Sequence, residues 1–164
     1  MALPAAAALW FLPGCLPVAF WVMWSDLARM RIPNAAVLAL VAVFALLGPV
    51  ALGLETWAWR WTHLLVVLAA GFVLNAAGAM GGGDAKFAAA MAPFVALDDA
   101  LAFLTLFAAA LLAAFAVHRG ARAIPAVRRA TPGWASWQAR DFPMGLALGG
   151  SLVFYLALAL VRGG

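Results

Sequence analysis

Long apolar runs broken by short polar stretches organise this chain. Residues 1–25 carry no charged side chain, which is enough for a membrane-crossing helix of roughly 20 residues. Pro13, Gly14 and Pro17 predict a kink in it, and Trp21 and Trp24 stand near its end as interfacial anchors. A polar connection over 26–34 follows, with Pro33 suited to the first turn of the next helix. A second span is expected over about 34–54. Glu55, Trp57, Trp59, Arg60 and Trp61 at its exit read as an aromatic belt at a membrane surface. A third span covers about 62–80, with His63 at its rim and Asn75 inside. Residues 87–97 are apolar but short for a crossing. Started near Gly83, this segment crosses where protein lines it, or else it is re-entrant. Asp98 and Asp99 end it, and clear spans follow at 100–117 and 143–162. The pattern predicts an all-α polytopic membrane helix bundle. It has about six transmembrane helices, the one over about 84–97 short, in a single domain over 1–164.

Composition agrees. The 164 residues are 68% hydrophobic and 10% charged, with mean hydropathy +1.06, far from a soluble domain. The uncharged first 25 residues lack a basic n-region and a clear cleavage site, so the first span is expected to be retained. Cys15 is the only cysteine and lies in an apolar run, which leaves no internal disulfide and no cysteine-based metal site.

The net charge of +4 concentrates in two places. One is Arg29 and Arg31; the other is Arg119, Arg122, Arg128, Arg129 and Arg140. Such clustering sets membrane orientation rather than nucleic-acid binding, and places both connections on the cytoplasmic side. Six crossings satisfy that placement; five would put the two basic connections on opposite faces. The arginine-rich connection 118–141, with Trp134 and Trp137 three apart, is expected to lie as an interfacial piece on anionic lipid headgroups.

Six acidic residues are few enough to weigh singly. Glu55, Asp98 and Asp99 fall on the outer side as solvated boundary charges, and Asp141 is read as capping the last helix. Asp26 and Asp84 differ, because each closes a long apolar span and two crossings separate them. They share one face and one depth, where ionisable groups are costly and tend to be functional. Two adjacent carboxylates share a proton, the state in which one activates water and the other polarises a carbonyl. Simpler roles stand beside this: an Asp26–Arg29 pair at helical spacing, and Asp84 as a helix cap after Gly81, Gly82 and Gly83. The glycines lack the Gly-Lys-Ser/Thr ending of a phosphate loop.

Gly81-Gly82-Gly83-Asp84 fits the Gly-x-Gly-Asp motif of intramembrane aspartyl proteases, and Ala85-Lys86 extends it as in type IV prepilin peptidases. Asp26 followed by Ile32-Pro33-Asn34 resembles that family's first aspartate and its connection. The run from Phe142 through Pro143, Met144 and Gly145 to Gly149 resembles its last-helix motif, with Met144 in place of the usual aromatic. The length resembles that of the short members that process Flp-type pilins. The resemblance implies catalysis by Asp26 and Asp84 and a presenting loop of Gly81, Gly82, Gly83 and Lys86. Pro33, Asn34, Pro143 and Gly145 would support the site or the substrate. It also implies cleavage of a prepilin or pseudopilin leader after a glycine, at the cytoplasmic face of a bacterial inner membrane. The substrate would carry a basic leader and an apolar helix, and pilus assembly machinery is a further partner. The paired cysteines of longer members are missing, so no methyltransferase activity, no zinc and no other cofactor is expected. Two other readings stand beside it. One is a small ion- or proton-coupled transporter with the aspartates as ligands; the other is a structural subunit of a secretion or pilus complex.

Overall fold

A computed structural model describes residues 1–163. Seven helices account for most of them: α1 (Ala5–Arg29), α2 (Asn34–Leu52), α3 (Leu54–Ala76), α4 (Gly82–Met91), α5 (Ala100–Ala123), α6 (Pro125–Ala130) and α7 (Met144–Arg162). The helices α1, α2, α3, α5 and α7 are long and apolar enough to cross a membrane. The chain is an all-α membrane bundle.

The bundle is built around α1. Its buried positions Phe11, Cys15, Val18, Val22 and Asp26 recur every three or four residues, one stripe of a helix. The helix continues unbroken through Pro13 and Pro17. Antiparallel to it, α7 presents Gly145, Leu148, Gly149, Leu152, Leu156 and Ala159. A side chain at Gly149 would come within 3.0 Å of the Ala19 carbonyl oxygen, so small residues let the two backbones approach. Across the other face, Phe11, Phe44 and Phe94 form an aromatic core, with Phe11–Phe94 and Phe44–Phe94 edge-on at 5.0 and 5.3 Å.

Helix α4 and the two short 3-10 turns after it, Ala92–Phe94 and Leu97–Asp99, form the short element. Its first turn lies against Ile32, just beyond the Asp26 end of α1. Its last residue, Asp99, meets Ala2 and Leu3 at the opposite end of α1. The segment therefore traverses the bundle although only ten of its residues are α-helical. The flanking residues are more extended and make up the length.

Two boundaries differ from expectation. Helix α3 begins at Leu54 rather than near residue 62, so residues 55–61 are its first turns. Helical periodicity then turns Trp57, Arg60 and Trp61 toward the bundle and leaves Trp59 63% exposed. Trp61 meets Phe44 edge-on at 5.2 Å, and Arg60 is only 5% exposed. In the connection to α7, Trp134 and Trp137 stack at 5.5 Å, but Trp137 is buried. The chain there is a 3-10 turn folded onto the bundle.

Candidate active site

Asp26 is buried because it continues the inward stripe of α1 by one more turn. Its Oδ2 accepts the backbone N–H of Gly145, 2.7 Å away, from the first turn of α7. Glycine is required there: a Cβ at 145 would lie 2.9 Å from the Asp26 Cβ and 3.0 Å from its Oδ2. The Asp26 carboxyl thus bonds Gly145, while Arg29, the alternative partner at helical spacing, is exposed. Just beyond, Met30 ends α1 in the left-handed region with φ 52°. That conformation is costly for a side chain with a Cβ, and it turns the backbone sharply. Ser25 Oγ donates to the Arg31 carbonyl oxygen at 2.9 Å and pins the returning strand. The turn buries Ile32, leads into Pro33 as N-cap of α2 and leaves Asn34 exposed.

Asp84 comes from the other side. After α3, the Asn75 amide donates to the Met80 carbonyl oxygen at 2.8 Å and closes the loop over 77–81. Gly81 is the N-cap of α4, so Asp84 sits inside the first turn rather than at the cap. The three glycines are not equivalent. A Cβ at Gly81 would lie 2.5 Å from Asp84 Oδ2, and one at Gly83 would lie 3.3 Å from the Ile32 Cβ. One at Gly82 would meet only the Asn75 amide at ordinary distance, 3.6 Å. Farther along, Gly71 of α3 lies against Ala85, which keeps the two helices close beside Asp84.

The half-buried Asp84 lies within electrostatic reach of the Asp26 carboxyl. Ile32 of turn 30–33 lies against Gly83 beside Asp84, and Lys86 Nζ reaches Asn34 Oδ1 at 3.4 Å on the exposed rim. Pro143 is buried as the N-cap of α7, so it fixes where Gly145 meets Asp26. Asp141, expected to cap this helix, is exposed and two residues short of the cap; proline occupies that position. Among the described residues, no group of three or more His, Cys, Asp or Glu side chains could hold a metal ion.

A second polar cluster, at the opposite end, escaped the sequence reading. Asp99 is only 7% exposed and is not a solvated boundary charge. Its carboxylate accepts the Ala2 N–H at 2.9 Å, the Leu3 N–H at 3.1 Å and the Tyr155 hydroxyl at 2.9 Å. Tyr155 Oη in turn accepts the Ala96 N–H at 3.1 Å. Arg60 donates through Nη1 to the carbonyl oxygens of Pro93 and Phe94 at 3.2 and 3.3 Å, where the backbone beyond α4 changes course. The signals were there: the chain's one tyrosine in an apolar helix, and an arginine three residues from an inward tryptophan.

The model of the type IV leader peptidase family matches residues 13–117, and the chain belongs to that family. The matched stretch contains both Asp26 and Asp84. Searches of curated proteins and of solved structures give no match.

Proposed function

We propose that this member of the type IV leader peptidase family is an intramembrane aspartic endopeptidase in which Asp26 and Asp84 form the catalytic pair. Its substrate is a Flp-like type IV prepilin or pseudopilin, with a basic leader and an apolar helix, cut after a glycine. The site faces the cytoplasm from a bacterial inner membrane, as the arginine-rich connections at the same end favour. The observation that supports this most is the buried Asp26, held by the Gly145 N–H and within reach of an aspartate carried on a glycine loop.

Two carboxyls this situated do not both ionise readily, so the pair holds one proton. The ionised member takes a proton from water as the oxygen attacks the scissile carbonyl carbon. The protonated member donates to the carbonyl oxygen. Collapse of the tetrahedral adduct breaks the C–N bond, and the amine leaves with a proton from the pair. The products are a leader carboxylate and a new amino terminus. Lys86 and Asn34, which meet on the exposed rim, would contact the substrate backbone.

Co-expression with a prepilin tests this. Asp26→Asn and Asp84→Asn are each expected to lower cleavage by about 10²–10⁴-fold while membrane insertion is kept. Full cleavage by either variant overturns the assignment. A shared proton further predicts a bell-shaped dependence of kcat/KM on pH, with apparent pKa values belonging to the pair.

A further inference from the structure

The end of the bundle that carries the aspartates also carries a cavity that the peptidase reading does not use. It has a volume of about 330 Å³ and is lined by Pro125, Arg128, Arg129, Pro132, Trp137 and Gln138. That is the size of a small-ligand site. It lies in the chain between the end of α5 at Ala123 and the start of α7 at Met144. Both of those helices are long and apolar enough to cross a membrane, so the cavity lies in the connection between two candidate spans.

We propose that this cavity is a discrete site for a phosphate-bearing headgroup, with the phosphate held between Arg128 and Arg129. Guanidinium groups suit phosphate oxygens by geometry as well as charge, since each offers paired N–H donors in a plane. The Gln138 amide adds a neutral donor. The field favours an anion: residues 118–141 hold five arginines against the single carboxylate of Asp141. The far wall is fixed. Trp137 Nε1–H donates to the Thr131 carbonyl oxygen and hydroxyl at 2.9 and 3.1 Å, and the indole stacks on His118 at 5.2 Å. With its N–H already bonded and its ring stacked on His118 and Trp134, the buried Trp137 gives the cavity an apolar wall and no free donor. The site differs from a basic surface in stoichiometry: a surface attracts anionic lipid without limit, whereas a cavity saturates at one. It does not depend on the peptidase reading.

Native mass spectrometry of the full chain, released from micelles containing phosphatidylglycerol, tests it. One retained lipid per chain is expected. Arg128→Gln with Arg129→Gln should weaken retention on the order of tenfold or more. Arg119→Gln with Arg122→Gln removes the same charge outside the cavity and should weaken it by less than about threefold. Inorganic phosphate is the second probe. If it binds with the same arginine dependence and phosphatidylglycerol binds no tighter, the ligand is soluble phosphate; if it fails to compete, the ligand is the lipid. Equal losses in the two double variants, or no loss in the first, overturn the site.

Discussion

The two ends of the bundle each bury a carboxylate, and they treat it in opposite ways. Asp99 accepts two backbone N–H groups and the Tyr155 hydroxyl, so its lone pairs are engaged. Asp26 is equally buried, yet the structure gives its carboxyl one donor, the Gly145 N–H. Its other neighbour is a second carboxyl, that of Asp84, which Asp26 influences through space. Burial alone therefore does not mark a reactive acid. A carboxylate with its hydrogen bonds satisfied is a staple, joining the start of α1 to α5 and α7. Under the proposed function, a pair left partly unsatisfied beside the glycine loop is what takes up water and a substrate carbonyl.

Removing the charge at the staple end should give the largest loss of stability. Arg60→Met leaves the Pro93 and Phe94 carbonyl oxygens without their donor, at an expected cost of about 2–3 kcal/mol. Thermal unfolding in detergent should show the lowered Tm, while cleavage per folded molecule stays within about threefold. Similar loss of cleavage in the folded fraction would show that the two ends are not separate.

At the aspartate end, glycine substitutions should separate close approach from mere flexibility. Gly145→Ala places a Cβ against Asp26, and Gly81→Ala places one against Asp84. Each is expected to lower kcat/KM by about ten- to a hundredfold, since small displacements of reacting groups are costly. Gly82→Ala meets the Asn75 amide at ordinary contact distance and should stay within about threefold of wild type. Equal effects at 81 and 82 would point to loop flexibility instead.

Tyr155→Phe is a gentler probe of the staple. It removes the hydroxyl shared by Asp99 and Ala96, and about 1–2 kcal/mol of stability should go with it. Lys86→Gln should have the smallest effect. Its contact with Asn34 is long and exposed, and a change in KM below about threefold is expected from prepilin titrations.

Much of this architecture was readable from residues alone. Apolar runs and their charged breaks located the spans, and span parity put Asp26 and Asp84 on one face. Charge also misled. Glu55 and Arg60 marked the end of the second span but suggested a position outside the third, where α3 had already begun and had turned Arg60 inward. Asp99 looked solvated because it stands beside Asp98 at the end of an apolar run; that it folds inward is decided by Ala2, Leu3 and Tyr155, far away in sequence. The same holds for Gly145, whose partner lies 119 residues earlier. No local period encodes that contact, and only the resemblance of the Pro143–Gly145 segment to a family motif pointed to it.

The contrast between the two ends can be measured in one experiment. Asp84→Asn and Asp99→Asn are prepared in the same membranes, and each is assayed for Tm and for prepilin cleavage per folded molecule. Asp84→Asn is expected to keep its Tm and lose cleavage; Asp99→Asn is expected to lose Tm by weakening the staple and to keep cleavage in the fraction that remains folded. Cleavage surviving in Asp84→Asn, or vanishing from folded Asp99→Asn, would contradict the assignment of catalysis to one end and stability to the other.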